Sequence, residues 1–477
     1  MWYPIFVLLA RAIPPQAIEY DAFFAMNTPL IISVFALLSV ASAQATVSAA
    51  ATPQHNSASR SQWFEDARFG LFIHWGLYSE LGGTWNGHTL PDKSLPNGNN
   101  WYSEWAQMRL EIPKTDYQAL AKTFNPTEFD AEKWAMETKL AGMKYLVITA
   151  KHHDGFALWD SAVSDYDMGA TPFKRDLLGD LVEACRAHGI KVGFYYSHWQ
   201  DWAHPGGALP PWKDKIQPSS EEFDQYWEDK CLPQVAELMD RYDPDLLWFD
   251  TWADKAKGQI SAEKRDQLID LVRSKSDQCL INGRILSHDP GPRIDYISAG
   301  DNQHPERNLG RPWQTPATMN HTWAWHANDF AWKPSERMIQ LLVTNASLGG
   351  NYLLNIGPYA NGEIPSPSIR RMREIGGWLT SHAESIYGAQ PLDDVPAPKW
   401  GRLTMREGEG GERIVYAHVM DWPTGALKLP EALGRAKSAT VLETGQPVSL
   451  TDGGASFLKP SGGVHPAVAT IRLIMED

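Results

Sequence analysis

Asp243-Pro244-Asp245-Leu246-Leu247-Trp248-Phe249-Asp250 decides the reading of this chain: a short apolar run of the kind that forms a buried strand closes on a carboxylate. Parallel (β/α) barrels place their catalytic groups at the C-terminal ends of strands, so an ionisable residue there is informative. Two earlier runs have the same form. Phe69-Gly70-Leu71-Phe72-Ile73 leads into His74-Trp75-Gly76, and Tyr145-Leu146-Val147-Ile148-Thr149-Ala150 leads into Lys151-His152-His153-Asp154-Gly155-Phe156. An Asp, several His and several Trp are thereby delivered toward one rim. Asp243 and Asp245 stand at the opposite end of their strand and read as turn residues.

Working outward, strand-like and helix-like segments alternate from about residue 60 to 385. Asp176 to His188 carries apolar residues in helical phase, Gly189 stops it, and Ile190-Lys191-Val192-Gly193-Phe194-Tyr195-Tyr196 follows as a strand. A second such unit runs from Glu263 to Asn282. Sustained alternation over this length favours a (β/α)8-like TIM barrel, assigned to residues 55–387, over an open sheet. No GxGxxG turn follows any strand, which disfavours dinucleotide binding. Between Gly388 and Lys399 stand Pro391, Pro396 and Pro398, a linker composition. The short runs beyond it, such as Arg413 to Val419 and Val468 to Ile474, make residues 388–477 an all-β domain.

Composition narrows the partners. The 57 acidic residues outnumber the 43 basic ones and no basic cluster occurs, so nucleic acid is excluded as a partner and a neutral substrate is favoured. The 21 Trp and 16 Tyr supply both core and flat faces on which sugars stack. Cys185, Cys231 and Cys279 are widely spaced and lack a CxxC pair, so neither zinc nor a disulfide framework is expected. Residues 1–45 read as an export segment, with Met26 as an alternative start: Leu30 to Val40 is an apolar run followed by Ala41-Ser42-Ala43 and Ala43-Gln44-Ala45. The run is shorter than the ~20 residues a membrane span needs, so the expected product is exported, periplasmic or extracellular, and without a stable span.

Five motifs in order carry a family resemblance: Trp63-Phe64 with Arg68-Phe69-Gly70-Leu71-Phe72-Ile73-His74-Trp75-Gly76; Trp101-Tyr102-Ser103-Glu104-Trp105-Ala106; Lys151-His152-His153-Asp154-Gly155-Phe156; Trp248-Phe249-Asp250; and Gly349-Gly350-Asn351-Tyr352-Leu353-Leu354-Asn355-Ile356-Gly357-Pro358. Over residues 60–385 the chain resembles the α-L-fucosidases of glycoside hydrolase family 29. The resemblance implies a (β/α) barrel, a C-terminal β-sandwich, and hydrolysis of terminal α-L-fucose from a fucosylated oligosaccharide or glycoconjugate. It also implies retention through a covalent fucosyl-enzyme, with no cofactor. Two other readings stay open: an exo-glycosidase for a fucose-like sugar such as L-galactose, and a fucose-binding protein without catalysis.

The same resemblance puts the nucleophile at Asp250, which agrees with the need of a retaining glycosidase for a carboxylate against the anomeric carbon. Trp248, two residues earlier, shares its side of the strand. His74, His152, His153, Glu104 and Trp105 match substrate contacts. Tyr196 matches another, although Tyr195 is equally placed by eye, and Arg284 matches an Arg near the nucleophile. Adjacent His152 and His153 without HExxH spacing give no metal site. The acid/base is open. In Asp295-Tyr296-Ile297-Ser298-Ala299-Gly300-Asp301-Asn302-Gln303-His304-Pro305-Glu306 no Glu stands at the commonest place, which Gln303 adjoins, and Gln314 stands where a Glu is common in relatives. Glu306 and Asp301 are the two candidates.

Overall fold

The strands that begin the fold are β1 (Phe69–Ile73), β2 (Tyr145–Lys151), β3 (Lys191–Tyr196) and β4 (Leu246–Phe249). They are followed by β5 (Leu280–Ile281), β6 (Ile297–Ser298), β7 (Trp313–Thr318) and β8 (Asn351–Ile356). In this computed structural model, residues 57–252, 259–286, 291–462 and 464–476 are described, and the expected export segment lies outside them. All eight strands pair in parallel in the order β5-β4-β3-β2-β1-β8-β7-β6. A parallel bridge between Asn282 and Tyr296 joins the two ends of this sheet. Beside it Gly283 N donates to Tyr296 O (2.9 Å) and Asp295 N to Ile281 O (3.0 Å). Each strand therefore neighbours the strands next to it in sequence, and the sheet closes into a barrel.

Alternation along the strands sorts side chains into two cores. Phe72, Tyr145, Val147, Tyr195, Leu246, Trp248, Leu280, Tyr296 and Leu353 fill the barrel interior. Phe69, Leu71, Ile73, Leu146, Ile148, Phe194, Tyr196, Leu247, Phe249 and Leu354 face the helices. Both faces are buried, which is why the strands read as continuous apolar runs. Gly70 is required inside: a Cβ there would lie 2.4 Å from the Tyr145 ring. The helix Ser57–Ala67 closes the N-terminal mouth, where Phe64 packs on Tyr296 and Tyr145 at ring centroids of 4.6 and 5.5 Å. The expected helix appears as Leu177–Ala187, capped by the Asp176 side chain, with Gly189 beyond it at φ 72°. Asp243 takes the left-handed C-cap of Leu232–Tyr242, and Asp245 holds Lys191 Nζ (2.6 Å) and Val192 N (2.9 Å), both at the end of β4 away from Asp250.

Among the described residues no α-helix stands between β5 and β6 or between β6 and β7. The chain after β6 leaves the C-terminal mouth and returns through residues 299–312 as an irregular segment. The C-terminal β-domain has a four-stranded antiparallel sheet, β9 (Gly401–Glu407), β10 (Arg413–Val419), β12 (Ala436–Val441) and β15 (Ala469–Met475), in the order β9-β10-β15-β12. A smaller sheet of β11 (Leu427–Lys428), β13 (Leu450–Thr451) and β14 (Ser456–Phe457) shares with it a core containing Val415, Ile471, Leu473, Leu427 and Phe457. Hydrogen bonds from Trp378 Nε1 to Val468 O (3.2 Å) and Thr404 Oγ1 to Ser385 O (2.8 Å) tie this domain to the barrel. The three cysteines are buried free thiols.

Candidate active site

The C-terminal mouth of the barrel holds a cavity of about 640 Å³. Strand ends build its floor. His74 follows β1, His152 and His153 follow β2, Tyr195 and Trp248 are inward positions of β3 and β4, and Asp250 follows β4. A register irregularity between Thr149 and Lys151 changes the alternation at the end of β2. Lys151 joins a buried ion cluster, bonding Asp201 Oδ2 (2.8 Å) beside Lys230 (2.7 Å), and both histidines after it reach the cavity. Asp154 accepts from Tyr117 OH (2.9 Å).

Asp250 is held from two sides. Tyr195 OH donates to Oδ2 (2.8 Å), and Arg284 Nη1 donates to Oδ1 (3.0 Å). The same guanidinium donates through Nη2 to Asp301 Oδ1 and to Ala299 O, and it lies over the Trp248 ring at 4.9 Å. Burial alone would lower the Arg284 pKa, but Asp301 and Asp250 more than compensate and raise it. Arg284 thus spans two carboxylates inside one cavity.

The histidines are neutral, and the hydrogen-bond network sets the tautomer of two of them. Asn355 spends its amide N–H on Trp323 O (2.6 Å), so its Oδ1 accepts the Nδ1–H of His74 (2.7 Å). Ser197 spends its hydroxyl proton on Gln200 O (2.8 Å), so it accepts the Nδ1–H of His153 (2.6 Å). Each ring keeps a lone pair on Nε2, and that of His153 lies 3.6 Å from Asp250 Oδ2. Burial pushes the His74 pKa down to about 3, and it pushes His152 and His153 well below the usual imidazole range. Burial also raises Glu104 to about 7. Glu104, His152 and Trp248 line the cavity, and their Oε1, Nδ1 and Nε1 atoms are buried without a hydrogen-bond partner among the described residues. Such orphans are uncommon in folded proteins.

Of the residues expected from sequence, His74, Glu104, Trp105, His152, His153, Trp248, Asp250, Arg284 and Asp301 line the cavity. Two do not. Tyr196 faces the helices and donates to Gln234 Oε1 (2.9 Å), while Tyr195 faces the cavity. The reason is parity: Tyr195 pairs with Trp248 and Tyr196 with Phe249. Glu306 lines a separate cavity of about 440 Å³ with Asn308, Leu392 and Arg402. Three residues past β6 the chain is still at the mouth, but by Glu306 it is on its way back to the start of β7, so of the two acid/base candidates only Asp301 lines the cavity that holds Asp250. Gln314 is inside the barrel, accepting from Tyr145 OH (3.2 Å). Sequence reasoning missed Tyr102, Arg109, Trp212, Trp252 and Trp323, which also line the cavity.

A closed parallel barrel whose C-terminal mouth joins a carboxylate pair to neutral imidazoles and indoles defines a glycoside hydrolase. The family model described as Alpha-L-fucosidase matches residues 36–384, and the chain belongs to that family. The tissue α-L-fucosidase of Rattus norvegicus is 31% identical over 387 residues, 78% of each chain. The α-L-fucosidase of Dictyostelium discoideum is 29% identical over 83% of this chain and 87% of its own. Among solved structures, α-L-fucosidase isoenzyme 1 from Paenibacillus thiaminolyticus superposes with TM-score 0.74 at 33% identity, covering 88% of this chain and all of its own. A trapped covalent intermediate of a family 29 α-L-fucosidase from Bacteroides thetaiotaomicron, obtained with a mutant of that enzyme and 2-fluoro-fucosyl fluoride, superposes with TM-score 0.75 at 29% identity. It covers 87% of this chain and 95% of its own.

Proposed function

We propose that the protein is a retaining exo-α-L-fucosidase that removes terminal α-L-fucose from fucosylated oligosaccharides or glycoconjugates, with Asp250 as nucleophile and Asp301 as acid/base. The observation that carries this reading is the Arg284 guanidinium, which binds both carboxylates at once. The ~5–5.5 Å separation that retention uses is short enough for one guanidinium to bridge. Tyr195 and Arg284 fix the orientation of Asp250, and a fixed nucleophile lowers the entropic part of the barrier. His74 and His153 offer Nε2 lone pairs to sugar hydroxyls, and the face of Trp248 suits the apolar side of the ring. Asp301 protonates the departing oxygen, Asp250 forms the fucosyl ester, and Asp301 then takes the proton of the attacking water. The covalent intermediate trapped in the Bacteroides relative supports this route. The export signal read in residues 1–45 supports a periplasmic or extracellular site of action.

Brief reaction with 2-fluoro-fucosyl fluoride, then digestion and mass spectrometry, tests the assignment. The fucosyl label is expected on the peptide containing Asp250. A label on any other carboxylate would falsify the nucleophile.

A further inference from the structure

The carboxylate assigned to the leaving oxygen stands on a turn, and that turn is fastened from behind by a lysine with no role in the chemistry above. Gln303 N donates to Gly300 O (2.9 Å), so Asp301 and Asn302 are the central pair of a β-turn, with Asn302 at φ 56°. Asn302 holds the turn to β7: its N donates to Pro316 O (2.9 Å), and its Oδ1 accepts from Thr318 N (3.0 Å). Lys333 reaches the same place from the far end of the loop that follows β7. Its Nζ donates to Asn302 Oδ1 (3.2 Å), to Thr318 O, and to Thr318 Oγ1 (3.3 Å), whose own proton goes to Asn320 O (2.6 Å). Its main chain is fixed as well, N donating to Met319 O (2.8 Å) and O accepting from Arg371 Nε (2.7 Å). One ammonium thus ties the turn of Asp301 to the end of β7 and to the start of the helix Ser335–Ser347.

Burial lowers the Lys333 pKa to about 8, and the charge of Asp329 opposes this only in part. The side-chain bonds of Lys333 among the described residues all go to neutral oxygens, so no ion pair offsets the desolvation of its charge. What it holds explains its place. The connection that carries Asp301 has no helix, and the Asp301 side chain is 40% exposed, so packing alone does not fix it. A catalytic group displaced by about 1 Å loses up to about 10²-fold in rate.

We propose that Lys333 is a positioning residue for the acid/base: through Asn302 it holds the turn that aims Asp301 at the leaving oxygen. Arg284 orients the carboxylate of Asp301, and Lys333 anchors the backbone beneath it. This inference rests on the assignment of Asp301 as acid/base.

The test compares kcat/KM on a fucosyl-disaccharide, whose leaving oxygen needs a proton, with kcat/KM on α-L-fucosyl fluoride, whose leaving group needs little. This ratio reports the steps up to the fucosyl-enzyme, where Asp301 acts as the acid. In Lys333→Met the disaccharide-to-fluoride ratio is expected to fall about 10-fold, less than the loss in Asp301→Ala, and through kcat more than KM. Lys333→Gln keeps a neutral donor, so its ratio is expected to lie between parent and Lys333→Met, and it carries the test if the Met variant fails to fold. Asn302→Gly keeps the left-handed backbone and loses the acceptor, so adding Lys333→Met to it is expected to lower the ratio no further. Equal losses on both substrates, an unchanged ratio in both Lys333 variants, or full additivity with Asn302→Gly would overturn the positioning role, while a fallen ratio in Asp301→Ala keeps the acid/base standing. An unchanged ratio in Asp301→Ala would instead remove the acid/base assignment, and the positioning role with it.

Discussion

On the cavity floor, His74, His152, Tyr195, Trp248 and Asp250 stand on strands or directly after them, whereas at the rim Asp301, Arg109, Trp212 and Trp252 stand on loops and short turns. The floor residues are buried, and the Asp250 side chain is 11% exposed where that of Asp301 is 40% exposed. Barrel register fixes the floor, because moving one of its side chains means moving a strand that is paired on both sides. The rim is held by fewer constraints. A rigid floor suits recognition of one invariant sugar, and a separately built rim suits a leaving group that differs between substrates.

The largest effect expected separates the two regions by chemistry. Asp250→Asn should cut turnover of every fucoside by about 10⁴-fold or more, the scale on which loss of a nucleophile acts, while circular dichroism stays that of the parent. Azide should restore turnover in Asp250→Gly. Undiminished activity of Asp250→Asn on fucosyl fluoride would remove the floor from the chemistry.

Next comes Asp301→Ala, a rim change. It should slow a fucosyl-oligosaccharide by about 10²-fold or more, because a poor leaving group needs a proton in the transition state. Formation of the fucosyl-enzyme from 4-nitrophenyl fucoside should be largely spared. Glu306→Ala should match the parent on both substrates, since it lines a different cavity. A loss at Glu306 with none at Asp301 would reverse the assignment.

A smaller effect tests strand parity. Tyr195→Phe removes a hydrogen bond to Asp250 and is expected to lower kcat/KM by about 10-fold, the scale of a bond to a charged group. Tyr196→Phe removes the bond to Gln234 in the helix layer, so it should cost about 1–3 kcal/mol of stability and leave kcat/KM near the parent. Equal kinetic losses would mean that the two faces of β3 are not distinct.

Sequence and structure part company along the same line as floor and rim. The runs ending at His74, His152 and Asp250 were legible because both faces of a barrel strand are apolar and the break to an ionisable residue stands out. Even Tyr195 was within reach: Ile190, Val192, Phe194 and Tyr196 form one apolar alternation, which leaves Lys191, Gly193 and Tyr195 to the other face. β7 was hidden, because Gln314, Thr315, Pro316 and Thr318 make it read as a loop although every residue of Trp313–Thr318 is buried. Polar atoms there find partners inside the barrel, as Gln314 does with Tyr145, and no periodicity rule sees that. The separation of Asp301 from Glu306 depends on where a helix-free connection turns back. Trp212 and Trp252 lie in segments with no period at all.

The smallest effect tests whether desolvation extends past the strand ends to Glu104, which stands on the 3-10 turn Ser103–Trp105. Glu104 is 1% exposed, and burial raises its carboxyl from 4.5 to about 7. In the unfolded chain the group ionises near its ordinary value, so between about pH 4.5 and 7 the folded protein keeps a proton that the unfolded chain has released. Stability contributed by this group therefore falls as pH rises through that window and levels off above it. Asp154, raised to about 7 by burial, acts in the same direction, and the buried neutral histidines act in the opposite direction below their ordinary value. The parent curve alone mixes all of these. Glu104→Gln isolates one, because it preserves size and the acceptor for Ala324 N (3.2 Å) while removing the titration. The difference in Tm, variant minus parent, is expected to grow as pH is raised from 5 to 8, because only the parent must bury an ionised carboxylate above its folded pKa. A difference that stays constant across that range would show that water or a counter-charge reaches Glu104, and that the desolvated surface ends at the strand ends.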